Sequence, residues 1–383
     1  MKEGTIRFGI IGLGLMGREF ASAVARWCHL QNENLPKPVI TGICDKGSTD
    51  SVNWFIRNFN TIKIKCTDYH DLLASPEIDA VYCAVPHNLH QQFYTDIIRS
   101  GKHLLGEKPF GINLEANKII IEEISKRPDL VVRCSSEFPY YPGARRVIEF
   151  IKSRSYGQLM EVKCGFHHSS DMDLLKPVNW KRTLEINGEY GCMGDLGMHT
   201  LHIPLRMGWI PEWVFADLQK IVPVRPDGKG NMVPCETWDN AVITTHCMDP
   251  LSDKEFSLVL EMKRMAPGQT NTWFIEIYGT KGSVRFTTHD PKAYYFLETS
   301  GSEQGWTRLD IGYQSFIPAI TGSIFEFGFS DAILQMVGAF VSEFSKESGT
   351  HPFQNVLPEE TFISHRIMDA AIRSYKEGMR ITI

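Results

Sequence analysis

The chain has 383 residues, which at about 150 residues per domain suggests two domains rather than one small binding module. Its 43% hydrophobic and 22% charged residues are typical of a soluble globular chain with a buried core. With 40 basic against 45 acidic residues the net charge is -5, which gives no cationic surface for a nucleic-acid backbone. The apolar runs are short, and MKEGTIRFGI leads straight into a strand-like segment without a secretory h-region. No membrane span is therefore expected, and a cytoplasmic location is. The nine cysteines are odd in number and never spaced C-x-x-C, which argues against a disulfide framework and a structural zinc site. They read as small buried hydrophobes in a reducing compartment.

From residue 5 to about 136, short β-branched runs alternate with amphipathic stretches, as in βαβ units around a parallel sheet. Strands are predicted at 5–11, 39–44, 62–66, 80–85, 103–107 and 130–135. Helices are predicted at Leu15 to Trp27, Ser48 to Phe59, Leu89 to Ser100 and Asn113 to Lys126, with Ser48 and Asn113 as N-caps. Right-handed crossovers turn this order into a Rossmann dinucleotide-binding domain, taken as residues 1–137. Beyond it, longer strand-like runs at 159–169, 214–224, 240–248, 255–264, 273–288 and 293–298 follow one another largely without helices. They predict an α+β domain, 138–383, with a large, mostly antiparallel open sheet for substrate binding and association. GTKG at 279–282 marks a turn, and Ala332 to Lys346 and Pro358 to Glu377 read as helices. The stretches 230–239 and 300–306 read as surface excursions.

Several motifs lie where α/β folds bind ligands. Gly12-Leu13-Gly14-Leu15-Met16-Gly17 follows the first strand and opens the first helix. Gly12 and Gly14 permit a tight turn and let backbone approach a pyrophosphate stabilised by the helix N-terminus, while Gly17 lets helix and strand pack closely. Asp45 ends the second strand, where a carboxylate hydrogen-bonds an adenosine ribose and repels a 2′-phosphate. NAD is thus the expected cofactor, with NADP left open by the adjacent Lys46. Lys108, in Gly106-Glu107-Lys108-Pro109, projects from the carboxyl end of the fifth strand and is able to stabilise a developing alkoxide. Alone, such a lysine is ordinarily a solvated charge.

The second domain carries Gly194-Asp195-Leu196-Gly197-Met198-His199. On a helix Asp195 and His199 share a face, so the carboxylate would orient the imidazole and stabilise its protonated form. Histidine titrates near neutrality, as exchange of a proton with a secondary alcohol requires. His202, one turn further on, raises the alternative of a metal held by Asp195, His199 and His202. No recognised metal signature supports that alternative, and no metal is expected.

Taken together, the GxGxxG, the strand-end acid, E-K-P and D-x-G-x-H resemble the Gfo/Idh/MocA family, named for glucose-fructose oxidoreductase and inositol dehydrogenase. The resemblance implies a nicotinamide-dependent dehydrogenase acting on a secondary hydroxyl of a sugar, sugar derivative or cyclitol. It also implies that Lys108 assists proton transfer, that Asp195 binds substrate and supports the histidine, and that His199 is the general acid/base. Pro86-His87-Asn88-Leu89-His90 is similar to the family's P-N-x-x-H stretch, which adds Pro86, His87, Asn88 and His90 to the cofactor-binding candidates. Glu107 is expected near the nicotinamide ribose. Trp180 and Arg182 of V-N-W-K-R resemble the family's approach to the substrate pocket. A helix cap for His87 or Asn88, and a buried tryptophan with a surface arginine, stay open as plainer roles. Relatives that associate through the second domain imply a homodimer or homotetramer.

Three positions depart from the family pattern. Glu137 follows Ser136 where many relatives carry asparagine, His202 replaces a common aspartate, and Gly191-Cys192-Met193-Gly194 replaces a glycine triplet. Two other readings share the architecture: an NAD-dependent glycosidase using transient oxidation, and a non-catalytic NAD or sugar sensor. Retention of Lys108 counts against the first, and retention of lysine, aspartate and histidine together counts against the second.

Overall fold

The computed structural model describes residues 4–32, 34–47, 49–299, 301–345 and 351–383. Its first half runs β1 (Thr5–Ile11), α1 (Leu15–Ala25), β2 (Lys37–Cys44), α2 (Thr49–Asn58), β3 (Ile64–Cys66), α3 (Tyr69–Leu73), β4 (Ala80–Cys83), α4 (His90–Arg99), β5 (His103–Gly106), α5 (Leu114–Ser125) and β6 (Val132–Cys134). The strands pair in parallel in the order β3-β2-β1-β4-β5-β6. This is the doubly wound arrangement expected from the alternating pattern, with its reversal between β1 and β4 opening a crevice at the strands' carboxyl ends. Every residue of β4 is buried, which is why its sequence is continuously apolar instead of alternating.

Asn113 caps α5, its Oδ1 accepting from the Ala116 amide at 2.9 Å. Ser48, expected to cap α2, lies outside the described residues. Strand β4 stops two residues earlier than expected, and Ala84, Val85 and Pro86 leave the sheet to form one wall of the crevice. The short helix α3 was not expected; Asp68 starts it by accepting from the His70 amide.

The second half comprises α6 (Pro142–Ser153), β7 (Leu159–His168), α7 (Leu184–Asn187), α8 (Cys192–Arg206), β8 (Pro211–Gln219), β9 (Val224–Pro226), β10 (Met232–Pro234), β11 (Asn240–Asp249), β12 (Lys254–Lys263), β13 (Asn271–Gly279), β14 (Gly282–Thr287), β15 (Ala293–Glu298), β16 (Thr307–Asp310), α9 (Phe329–Ser342), α10 (Pro358–Glu377) and β17 (Ile381–Thr382). Nine of these strands form one sheet in the order β16-β15-β14-β13-β7-β12-β11-β8-β17. All neighbours in it are antiparallel except β7 and β12. Alternation in β12 turns Leu258, Leu260 and Met262 toward α8, which is buried from Cys192 to Leu205 between this sheet and α10.

Thr280 and Lys281 form the turn expected between β13 and β14. The run 214–224 is not one strand: β8 ends at Gln219, and Val224 begins a separate ribbon of β9 and β10. The segment 230–239 is only partly a surface excursion, because Cys235, Thr237 and Asp239 are buried. Helix α9 begins three residues before the expected Ala332 and ends at Ser342; Lys346 lies outside the described residues.

Both terminal helices return to the first sheet. Helix α9 packs beside α1, with Phe340 6.1 Å from Phe8 of β1 and Glu343 paired with Arg133 of β6, while α10 packs on α5. Among the described residues no helix is long and apolar enough to cross a membrane.

Candidate active site

The glycine loop joins β1 to α1 under tight constraint. Gly12 has φ +91°, and a Cβ there would lie 2.4 Å from the Ala84 carbonyl oxygen. A Cβ on Gly17 would meet the Gly12 carbonyl oxygen at 2.3 Å, so the first turn of α1 closes directly onto the loop. Gly14 is the reverse case: a Cβ there would have nothing within 4 Å. No side chain caps α1, which leaves its first amides open to an anion. Leu15 beside them is 74% exposed.

Asp45 is braced by this loop. Its Oδ2 accepts from the Leu13 amide at 2.9 Å and its Oδ1 from the Gly47 amide at 2.7 Å. Asp45 lines a cavity of about 260 Å³ with Gly12, Gly14 and Pro86. That cavity shares Gly14, Ala84, Val85 and Pro86 with a second of about 590 Å³, which Leu15, Met16 and His87 also border. The two make one cleft along the crevice of the first sheet. Open helix amides, a strand-end carboxylate and glycine surfaces free of side chains fit a dinucleotide.

The larger cavity holds the charged groups. Lys108, past the end of β5, donates from Nζ to the Asp195 carbonyl oxygen at 2.7 Å and to Asp195 Oδ1 at 2.9 Å. Lys181 donates to both Asp195 carboxylate oxygens at 2.9 and 2.8 Å, and Arg264 donates to Oδ2 at 3.0 Å. One carboxylate in the first turn of α8 thus collects three cations. Burial would push the Asp195 carboxyl up, but Lys108, Lys181 and Arg264 hold it well below the usual range. Burial likewise opposes the Lys108 ammonium, and Asp195 with Glu107 outweighs it, so Lys108 stays above its ordinary value. Lys181 is pulled below its own, by burial first, with Lys108 and Arg264 adding repulsion.

His199 lies one turn further along α8. Its ring stands edge-on between Phe138 and Phe166, at centroid distances of 5.1 and 5.3 Å, and its carbonyl accepts from Trp273 Nε1 at 2.9 Å. Nδ1 faces Ser136 Oγ at 3.2 Å and Glu137 Oε2 at 3.8 Å. No protein group among the described residues hydrogen-bonds Nε2. Burial, then the Lys108 charge, pushes the imidazole well below its ordinary value, so it is neutral at pH 7. Glu107 is buried, its Oε1 accepting from Tyr82 and Ser135 hydroxyls, both at 2.7 Å.

Lys108, Asp195, His199, His87, Glu107 and Trp180 therefore meet around one cavity. Other expectations need correction. Asp195 does not hydrogen-bond His199, because three cations occupy its carboxylate, although its charge still favours the protonated imidazole. Arg182 is not at the pocket: its side chain is 1% exposed and is held by Asp171 at 2.5 Å and by Asp239. Lys181 takes the pocket position beside Trp180. Asn88 is exposed and borders neither cavity, nor does its side chain cap α4. His90 is wholly buried behind the cleft; the Gly111 amide donates to its Nδ1 at 3.4 Å, which leaves Nε2 to donate to the Val85 carbonyl at 3.0 Å. Asp195, His199 and His202 do not form a group able to hold a metal ion; His202 is buried against Phe353.

Lys181, Arg264 and Ser136 went unnoticed as site residues. Lys181 and Ser136 stand beside residues the motifs had singled out, and Arg264 ends a strand-like run of otherwise ordinary composition.

Comparison with known proteins agrees with this geometry. The model of an oxidoreductase family with an NAD-binding Rossmann fold, GFO_IDH_MocA, matches residues 6–133, and a C-terminal domain of that family matches residues 144–285. An uncharacterised oxidoreductase of Synechocystis is 27% identical over 240 residues, 61% of this chain and 62% of that protein. Levoglucosan dehydrogenase of Pseudarthrobacter phenanthrenivorans is 23% identical over 296 residues, 73% of each. Among solved structures, a levoglucosan dehydrogenase in complex with NADH and L-sorbose superposes with a TM-score of 0.86 at 19% identity, covering 99% of both chains. With both halves of the cleft matched in this way, the chain belongs to the Gfo/Idh/MocA family and is an NAD(P)-dependent oxidoreductase.

Proposed function

We propose that this chain oxidises a secondary hydroxyl of a sugar, sugar derivative or cyclitol, with NAD as the preferred cofactor and NADP the alternative. The observation that carries the reading is Lys108 bound to Asp195 beside His199, in a cavity continuous with the glycine loop. Gly12, Gly14, Leu15, Met16 and Gly17 hold the pyrophosphate side, Asp45 the adenosine ribose, and Pro86, His87, Glu107 and Lys108 border the nicotinamide side. When bound, the nicotinamide supplies the hydride acceptor.

The protein's own part is orientation and proton management. Lys108 keeps its charge and has donor capacity beyond its two bonds to Asp195, so it hydrogen-bonds the reacting oxygen and stabilises it as negative charge develops. Neutral His199 takes the hydroxyl proton at Nε2. Asp195 fixes Lys108 and Lys181 in place, and Trp180 offers an aromatic face to a polyol. Levoglucosan dehydrogenase, similar in both sequence and fold, supports a carbohydrate substrate. The nine free cysteines suit a reducing cytoplasm, and exposed Met160 and Phe215 on strands of the large sheet suit association into dimers or tetramers.

The test is nicotinamide absorbance after mixing the protein with NAD or NADP and a panel of hexoses, anhydrosugars, glycosides, sugar acids and inositols. Reduction by one class, lost in Lys108→Ala and His199→Ala, is expected. Turnover unchanged in both variants would overturn the assignment. Light scattering at micromolar concentration tests the association, and a monomeric mass would refute it.

A further inference from the structure

We infer that Glu137 is the nearest charge partner of His199: a positioning residue whose carboxylate stabilises the imidazolium formed when the histidine takes the substrate's proton. The inference rests on the proposed reaction. Its basis is geometric. The Asp195 carboxylate, one helical turn from His199, accepts four hydrogen bonds from Lys108, Lys181 and Arg264 and acts on the imidazole only through its charge. Glu137 Oε2 stands 3.8 Å from His199 Nδ1, and Glu137 also borders the larger cavity. The ring cannot swing toward another partner, since Phe138 and Phe166 hold it edge-on from two sides.

Acceptors beside Nδ1 determine which nitrogen is the base. An ionised carboxylate at 3.8 Å favours the tautomer carrying its proton on Nδ1, and the Ser136 hydroxyl at 3.2 Å is able to accept that proton's hydrogen bond. That leaves the Nε2 lone pair for the substrate. In the step itself the substrate O–H bond breaks and an N–H bond forms at Nε2. The carbinol C–H bond breaks with its electron pair leaving to the nicotinamide, and the carbon–oxygen bond becomes a carbonyl. The imidazole gains one positive charge inside a cavity that already holds Lys108 and Lys181. An ionised Glu137 offsets that charge; a protonated one does not.

Glu137 is itself tuned to this task. Burial, then the charge of Glu107, pushes its carboxyl up to about 7, with Lys108 opposing. Its other ionisable neighbours are Glu19 on α1, Tyr82 on β4, Cys134 on β6, Tyr141 beyond the following turn, and His199. His199 in turn is lowered by Lys108, His168 and Lys181, raised by Asp195, and has His202 as a further neighbour. Of the carboxylates, Glu137 is the one within 4 Å of a ring nitrogen among the described residues.

The experiment compares the pH dependence of kcat in the wild type, Glu137→Gln and Glu137→Asp, using NAD and the panel sugar that is turned over fastest. The wild-type rate should rise through about pH 7. Glu137→Gln should lose that rise, falling about tenfold below wild type at pH 8 while nearly meeting it at pH 6. Glu137→Asp, which keeps the charge, should retain the rising limb. A Glu137→Gln profile with the wild-type shape would overturn the inference. A second readout needs no substrate: the His199 ring tautomer followed by NMR at pH 8 in the full-length protein with NADH. The tautomer with its proton on Nδ1 should predominate in the wild type and lose that preference in Glu137→Gln, and an unchanged tautomer would also overturn the inference. Turnover surviving in His199→Ala would instead bring down the proposed reaction. Turnover lost there, with Glu137→Gln unaltered, would remove only the role of Glu137.

Discussion

The two ends of the cleft hold their groups by different physics. At the glycine-loop end the contacts are made by backbone: the open amides of α1, a positive-φ glycine packed against the Ala84 carbonyl, and an aspartate fixed by two main-chain amides. At the other end the cavity wall is a set of buried charges, with Asp195 collecting three cations and Glu137 standing against a neutral histidine. Backbone contacts do not depend on the charge of the side chains around them, but at Gly12 and Gly17 they leave no room for a methyl group. Buried charges depend on one another, and removing one leaves its partners unsatisfied in a low dielectric. One end is sensitive to shape and the other to charge.

This contrast can be tested, from the largest expected effect downward. Lys108→Ala removes the cation proposed for the reacting oxygen and should lower kcat/KM by about a thousandfold or more. NAD binding by calorimetry should change little, and equal losses of both would blur the distinction between the two ends. Arg182→Ala leaves Asp171 and Asp239 buried without their shared partner and should cost roughly 3–5 kcal/mol in urea unfolding. Lys181→Ala should fold normally and lose activity instead, so a reversed pattern would undo the correction of Arg182 to Lys181.

The third test uses pH. Folded Glu137 retains its proton up to about pH 7, whereas an unfolded glutamate loses it near 4.3. Between these values the native state binds more protons, so this contribution to stability is complete below the lower value and lost as pH rises through the upper one. Glu137→Gln should therefore match the wild type near pH 4 and exceed it by roughly 3 kcal/mol at pH 8 in urea titrations. Equal stability at both pH values would refute the raised carboxyl assigned to this residue. Last, Asp45→Asn keeps an acceptor for the Leu13 amide but removes the charge, and should shift preference from NAD toward NADP by about tenfold. A collapse of binding for both cofactors would mean that the backbone end also depends on charge.

The first sheet was legible because its signals are local. Gly12, Gly14, Gly17 and Asp45 each owe their position to the strand and helix that directly adjoin them. Lys181 and Arg182 show where such reading stops. They are neighbours in a 3-10 turn, Trp180–Arg182, and the arginine is drawn inward by aspartates 11 and 57 residues away. Helical spacing correctly put Asp195 one turn before His199, yet it could not show that cations from positions 108, 181 and 264 would take the carboxylate. The return of α9 and α10 to the first sheet has no local signal either. Both helices simply look apolar, and what they cover is decided by the whole topology.

That return has a consequence in time. The six parallel strands are complete once Cys134 has been synthesised, but the helix that places Phe340 against Phe8 ends at Ser342. At ordinary translation rates the interval of roughly 200 residues takes ~10–40 s. Throughout it the nascent first half exposes apolar surface that no earlier segment can cover. The ribosome-bound chain should therefore be a client of chaperones for much of its synthesis, and a fragment ending near residue 137 should aggregate instead of serving as a free-standing nucleotide-binding module.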